Sequence, residues 1–326
     1  MASKRFLVVR DAALDDALRG AVVAMGNFDG VHRGHRAVIG AALARAATLG
    51  RPAAVLTFEP HPRAFFHPGE PLFRLTSETI KLRLLAATGL DGAIVLTFDA
   101  ALANLSAADF VARILVDRLA VSGAVIGFNF HFGKARAGSP AFLASEGARC
   151  GFSVDVVPPL TDLGQPISSG PIRDALAAGR VEEAAEFLGY RWFVSGKVEH
   201  GDKRGRELGF PTANMRLDPS CRLRHGIYAV RARIDGESYD GVASFGRRPM
   251  FDTAGVLLEV FLFDFSGDLY GRTIDVAFIA WIREEQVFAS VDALVRKIHE
   301  DAREARAALA RVADMPAPRT PFSPAT

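Results

Sequence analysis

Between residues 21 and 158, short β-branched runs alternate with stretches of helical period, and nothing else in the 326-residue chain constrains its fold as strongly. The runs are AVVAM (21–25), AAVLTF (53–58), GAIVLTF (92–98), GAVIGF (123–128) and SVDVV (153–157). Each is too short for a helix and most lack a polar alternation, so they read as strands covered on both faces. Between them Ile80, Leu84 and Leu85 fall on one helical face. Phe110, Val111, Ile114 and Leu115 fall on another, with Ser106 and Asp109 spaced as a capping box. Strand and helix alternating in this way predict a doubly wound α/β domain with a parallel sheet, whose ligand crevice lies at the carboxyl ends of the strands.

After residue 190 the texture changes to period-2 runs: WFVSGKVEH, GIYAVRARI, YDGVASFG, VLLEVFLFDF and RTIDVAFIAWI. Turns at Asp235-Gly236 and Ser266-Gly267-Asp268 between such runs predict an antiparallel barrel or sandwich. A last helix should lay Val291, Leu294, Val295 and Ile298 on that sheet. The expected division is an α/β domain over 1–187, an all-β domain over 188–312 and a proline-rich, disordered tail over 313–326.

Lys and Arg number 39 against 37 Asp and Glu, a formal charge of +2, which argues against a polynucleotide partner. Cys150 and Cys221 stand in different halves without CxxC spacing, so neither a disulfide framework nor a zinc site is expected. The apolar run Phe6–Val9 is too short for a signal peptide, and no stretch approaches the ~20 apolar residues of a membrane span. A soluble cytoplasmic protein is expected, without membrane partners and at most a weak or transient homo-oligomer.

Directly after the first run comes GNFDGVHRGH, residues 26–35. Glycines let a backbone approach a ligand, a helix start offers unpaired N–H groups, and His32 and His35 add donors, so phosphate is the natural guest. Taken alone, the motif serves equally well as a tight turn whose histidines bond backbone carbonyls. ISSGPIR (167–173) is a second helix start, with Pro171 expected at the first helical position after the serines and Arg173 bringing a fork of donors.

GNFDGVHRGH, TFEPHP (57–62), GFNFHFGKARAGS (127–139) and ISSGPIR, in this order, resemble the adenylyltransferase half of the bacterial bifunctional riboflavin kinase/FMN adenylyltransferases. The resemblance implies transfer of AMP from ATP to FMN, giving FAD and pyrophosphate. It implies that His32, His35 and Arg173 hold the ATP phosphates. Gly26, Asn27 and Asp29 would position nucleotide and metal, and Ser168 and Ser169 would bond to them. Phe58, His61, Pro62, Asn129, Phe130 and Phe132 would line the flavin side, although phenylalanines such as these serve equally as core. The family usually has Ser-Ser-Thr-x-Ile-Arg and Asp-Phe-Arg-Phe-Gly; here Gly170 and Pro171 interrupt the first and Asn129 and His131 replace charged residues of the second. A slower adenylyl step is the expected consequence. Aminoacyl-tRNA synthetases share the His-x-Gly-His turn, but neither a KMSKS-like loop nor a basic face accompanies it here.

VEHGDKRGRELGFPTANM (198–215) crowds glycines and cations before Thr212 and Asn214, as a basic lid over phosphates or a solvated turn would. No GxxxxGK[ST] occurs, which removes a P-loop kinase. The stretch resembles the riboflavin kinase signature. That implies ATP contacts from Gly201, Lys203 and Gly205, Mg²⁺ held by Thr212 and Asn214, and Glu259 as general base on the ribityl hydroxyl. It also implies a six-stranded antiparallel barrel with a C-terminal helix, and places Arg283 and Phe288 near the flavin. From the residues themselves, Glu259 in an apolar strand needs a role or a partner, a salt bridge to an Arg being the other possibility. A flavin-binding barrel without catalysis, beside a lone adenylyltransferase, is the competing reading.

Overall fold

The computed structural model describes residues 5–11, 16–162, 164–201, 210–246 and 256–312. They form two compact units, one ending at Ser168 and the other beginning at Ser169. Lys203, Gly205 and the tail over 313–326 lie outside the described residues.

In the first unit, β1 (Leu7–Arg10), β2 (Val22–Met25), β3 (Ala53–Glu59), β4 (Gly92–Thr97), β5 (Gly123–Gly127) and β6 (Ser153–Val157) form one parallel sheet in the order β1-β4-β3-β2-β5-β6. All four residues of β2 are buried, as the unbroken apolar run requires. Full burial of one such side chain contributes about 1.5–3 kcal/mol, which makes the centre of this sheet the anchor of the unit. The helices are α1 (Arg33–Leu49), α2 (Pro62–Phe66), α3 (Glu78–Ala86), α4 (Ala100–Ala103), α5 (Ala107–Asp109) and α6 (Pro140–Cys150). Ser106 caps α5, its Oγ accepting from Asp109 N at 3.0 Å and donating to the Asp109 carboxylate at 2.6 Å. The helix continues in π form over Phe110–Arg118, a widening that apolar periodicity does not reveal. Two short strands, β7 (Thr161–Asp162) and β8 (Gln165–Pro166), pair after β6.

The second unit opens with α7 (Ser169–Ala177) and α8 (Val181–Leu188), α7 packing on α8 and α8 on β14 (Thr273–Arg283). Its sheet joins β9 (Phe193–Lys197), β10 (Thr212–Leu217), β11 (Gly226–Ile234), β12 (Glu237–Gly246), β13 (Val256–Leu262) and β14 in the antiparallel order β10-β13-β12-β11-β14-β9. A bridge between Glu199, just beyond β9, and Asn214 on β10 brings the two edges together, so the sheet nearly closes into a barrel. Asp235 and Gly236 both take positive φ, 51° and 93°, the two-residue turn that suits the twist of a hairpin.

Along the last helix, α9 (Val291–Ala310), the stripe beginning at Val291 is only partly covered: Val291 is exposed, while Leu294, Val295 and Ile298 are half-buried. Its covered face lies further along, where Ala305 and Leu309 meet Val242, Phe263 and Ile279. Asp301 sits on the same face, buried because the Arg283 guanidinium forks onto its carboxylate at 2.7 and 2.6 Å. Both cysteines are free, and burial pushes the Cys221 thiol up to about 11, so it stays protonated at neutral pH.

Candidate functional sites

The neighbours β3, β2 and β5 end, in turn, at the segments carrying His61, His32 and Asn129. Three of the sequence motifs therefore leave the carboxyl ends of adjacent strands, where the strand order reverses and an α/β sheet opens its crevice.

The turn from β2 to α1 is strained. Phe28 and Val31 take positive φ, 52° and 38°, and Val31 is a fully buried β-branched residue. Such conformations cost about 1–3 kcal/mol each and persist only where the surroundings enforce them. Asp29 supplies that enforcement. Its buried carboxylate accepts from the backbone N–H of Leu75 and Thr76, each at 3.1 Å, and Gly30 N donates to Thr76 Oγ1 at 3.1 Å. In this geometry Asp29 holds the turn.

His32 caps α1, its Nδ1 accepting from His35 N at 3.2 Å, so the ring proton must sit on Nε2. The two imidazoles stack with centroids 3.6 Å apart. Nδ1 of His35 is buried without a hydrogen-bond partner. Burial, then the charges of His32 and Lys81, hold His35 well below the ordinary histidine range, so it is neutral at neutral pH. Gly34 is required by close approach: a Cβ there would lie 3.0 Å from the Ile167 carbonyl oxygen and 3.2 Å from the His32 ring. The start of ISSGPIR is thereby seated against the start of α1. Ser168 closes the first unit, whereas Ser169 and Arg173 stand on α7 in the second.

On the flavin side of the resemblance, His61 caps α2 by accepting from Arg63 N at 3.1 Å, with Pro62 at the first helical position. Phe58 is core and meets Phe98 edge-on at 5.9 Å. Phe132 is also core, with Phe130 stacked on it at 5.8 Å and the loop closed around it by a bridge to Gly138. The exposed aromatic rings beside these residues are Phe66 and Phe128, which the motifs did not single out.

A further cluster was not anticipated. Lys81, 1% exposed, places Nζ 2.6 Å from Glu59 Oε1, 3.4 Å from Thr57 Oγ1 and 3.5 Å from the Asn27 carbonyl. Arg74 forks onto Glu59 at 2.7 and 2.9 Å. Burial pushes the Glu59 carboxyl up, and Arg74 and Lys81 more than reverse it; burial pulls the Lys81 ammonium down and Glu59 offsets only part. The signal was present in the sequence, because Lys81 stands i, i+3, i+4 with Leu84 and Leu85 on an apolar helix face.

In the second unit, register sets Asn214 of β10 opposite Glu259 of β13, and Glu259 opposite Ser244 of β12. Directly paired residues project to the same face, so Thr212, Asn214, Glu259 and Ser244 share one side of the sheet. Asn214 is buried; its amide Nδ2 donates to Thr212 O at 3.2 Å, while its Oδ1 is buried with no hydrogen-bond partner. Gly201 lies against that amide so closely that a Cβ would come within 2.5 Å of Nδ2. Glu259 is half-buried, on the alternating face opposite Leu258 and Val260. Arg283, expected beside the flavin, is committed to Asp301, with Phe288 5.9 Å from its guanidinium carbon.

The FAD synthetase family profile matches residues 14–171, and the riboflavin kinase profile matches residues 188–309. A bifunctional riboflavin kinase/FMN adenylyltransferase of Pseudomonas fluorescens is 44% identical over 294 residues, covering 89% of this chain and 93% of its own. Proteins of the same description from Haemophilus influenzae and Escherichia coli K12 are each 40% identical, covering 89% and 88% of this chain and 94% and 92% of theirs. The crystal structure of a macrolide-efflux protein from Streptococcus pneumoniae is 31% identical with a TM-score of 0.83, covering 92% of this chain and 98% of its own, and so shares this fold. No helix among the described residues is long and apolar enough to cross a membrane. With both profiles matched in order and relatives aligned along most of their length, the chain belongs to the bifunctional riboflavin kinase/FMN adenylyltransferase family.

Proposed function

We infer that this chain phosphorylates riboflavin to FMN on its barrel and transfers AMP from ATP to FMN at its parallel sheet, releasing FAD and pyrophosphate. The observation that carries the reading is the match of both family profiles along one chain that is 44% identical to a bifunctional relative. We assign the adenylyl step to residues 1–187 and the kinase step to 188–312, with α7 and α8 packed on the barrel side.

In the adenylyl step an oxygen of the FMN phosphate attacks the α-phosphorus of ATP, and the bond to the leaving pyrophosphate breaks. No bond to the protein forms, so catalysis consists of alignment and charge stabilisation. His32 and His35, with the N–H groups opening α1, receive the phosphates, and Gly26 and Asn27 shape the approach; Arg173, Ser168 and Ser169 are assigned to the same phosphates on the family resemblance of ISSGPIR. Asp29 serves by holding the turn. The flavin ring is received near His61, Pro62, Phe58, Asn129, Phe130 and Phe132, and the exposed rings of Phe66 and Phe128 offer the faces for stacking.

In the kinase step Glu259 takes the proton from the ribityl hydroxyl as it attacks the γ-phosphorus of ATP, and ADP leaves. The buried, unpartnered Oδ1 of Asn214 fits a hard cation, and we assign it with Thr212 to Mg²⁺. When bound, Mg²⁺ neutralises phosphate charge. Gly201, Lys203 and Gly205 serve the ATP phosphates, while Phe288 closes the flavin side and Arg283 supports it through Asp301. The non-catalytic barrel is disfavoured by the convergence of Thr212, Asn214 and Glu259 on one face. Use of ATP in both steps supports a cytoplasmic enzyme; we assign it small-molecule substrates rather than nucleic acid or membranes, and at most a weak or transient homo-oligomer.

Purified chain incubated with riboflavin, ATP and Mg²⁺, its products separated by chromatography over time, should give FMN first and FAD later. No FMN would remove the kinase assignment; no FAD from added FMN would remove the other.

A further inference from the structure

A buried ammonium is costly unless its surroundings repay it, and removing such a group's partner is strongly destabilising. Lys81 is such a group, and the roles assigned above leave it unused. Its three hydrogen-bond donors meet three acceptors from separate segments: Glu59 at the end of β3, Thr57 within β3, and the Asn27 carbonyl at the start of the turn. Arg74 shares Glu59, so the cluster carries two cations on one carboxylate. The further anion acting on Lys81 is Asp29, which is held by Leu75 and Thr76, the residues following Arg74. Lys81 and Arg74 thus balance Glu59 and Asp29 behind the turn that carries His32 and His35, so the cluster fixes geometry without adding net charge. Lys81 also acts electrostatically on His35.

We propose that Lys81 is a positioning residue for adenylyl transfer: it ties the phosphate-receiving turn to the end of β3, from which the His61–Pro62 segment departs. The proposal rests on the assignment of the His32–His35 turn to the ATP phosphates. Two consequences separate this role from packing. The bond to Asn27 O fixes the turn relative to β3, so ATP and FMN are held in one register. Alignment of the reacting groups matters most in the transition state, so loss of the tie should fall on kcat more than on the KM for ATP.

Full-length Lys81→Met, Lys81→Arg and the paired Glu59→Gln/Lys81→Met variant would be assayed for FAD formation from FMN and ATP, and in parallel for FMN formation from riboflavin. Lys81→Met should lower kcat for FAD about 10- to 100-fold with the KM for ATP changed less than about threefold, while FMN formation stays within about twofold. Lys81→Arg should recover most of the loss, because donors to Glu59 and the Asn27 carbonyl return. If Lys81→Met does not fold, judged by its urea transition, the paired variant removes carboxylate and ammonium together and keeps the volume, and it must show the same fall in kcat. A folded Lys81→Met or paired variant that keeps kcat within about threefold overturns the proposal. A fall in activity that follows loss of folded protein in both variants does so too. Parallel measurement of His35→Ala separates the two levels: if it also keeps FAD synthesis, the assignment of the turn has failed, and if it alone loses activity, Lys81 serves only packing.

Discussion

In the parallel sheet every residue of β2 is buried and the charge beneath the adjoining turn belongs to the protein itself, in Lys81, Arg74 and Glu59. In the barrel β13 buries alternate residues, and the site face offers a neutral amide oxygen at Asn214 and a half-buried carboxylate at Glu259. Two sites that both handle ATP therefore meet its charge differently. The first arranges N–H groups, imidazoles and a buried cation in advance. The second presents oxygens, which attract a cation from solution before they can attract phosphate. A doubly buried strand can end over a buried ion pair, whereas a barrel strand, alternating in and out, can deliver ligands directly from its outer face.

The sharpest way to break this contrast is Glu259→Gln, which keeps shape and removes the base. FMN formation should fall by ~10²–10⁴ while added FMN is still converted to FAD. Equal loss of both activities would mean a general defect, and little loss in either would return Glu259 to a structural role.

His35→Ala should give the opposite split: FAD synthesis down by ~10² or more, with riboflavin still phosphorylated so that FMN accumulates. Near-parent FAD formation at saturating FMN and ATP would make His35 only a turn residue. Gly201→Ala sharpens the barrel side. The added methyl must push the Asn214 amide from its place, so FMN formation should fall about tenfold or more and need more Mg²⁺ for half-maximal rate, with FAD synthesis from FMN unchanged. An unaltered Mg²⁺ requirement would detach Asn214 from the metal.

The smallest effect concerns stability. His35 is held neutral in the folded chain, so the unfolded chain binds the extra proton first as pH falls below about 6.5. Stability from this group is complete above that pH and is lost as pH falls, by up to about 1.4 kcal/mol per unit until the folded-state value is reached. Urea unfolding of the first unit between about pH 7.5 and 5 should show this slope, and His35→Gln should flatten it. An identical slope in both chains would place the proton elsewhere.

The parallel strands were legible because burial on both faces writes continuous apolar runs, and the barrel because a half-buried face writes alternation. β1 carries no strand signal of its own, since Leu7–Arg10 is short and gains its meaning only by pairing with β4. Thr212–Leu217 shows a motif but no strand pattern in the sequence, because Asn214 and Arg216 interrupt its apolar residues. His32 and His35 stood out as polar residues clustered at a glycine-rich turn. Lys81 on its apolar helix face signals that a partner is needed, but not that the partner is Glu59, which only folding brings to it. Arg283 shows the same limit: its tie to Asp301 is set by how α9 crosses the barrel, not by anything local to either residue.

The closure of the barrel has a consequence in time. β9 pairs with β14, so Phe193 finds its neighbour only at Ala277, and α9 is made later still. At about 5–20 residues per second, β9 leaves the ribosome roughly 4–17 seconds before the strand that covers it. The six strands of the parallel sheet are all synthesised by Val157, before β9 begins. During translation the chain therefore carries a sheet able to form beside a barrel edge awaiting its partner, and this interval, rather than the finished fold, is when the second unit most needs protection from other chains.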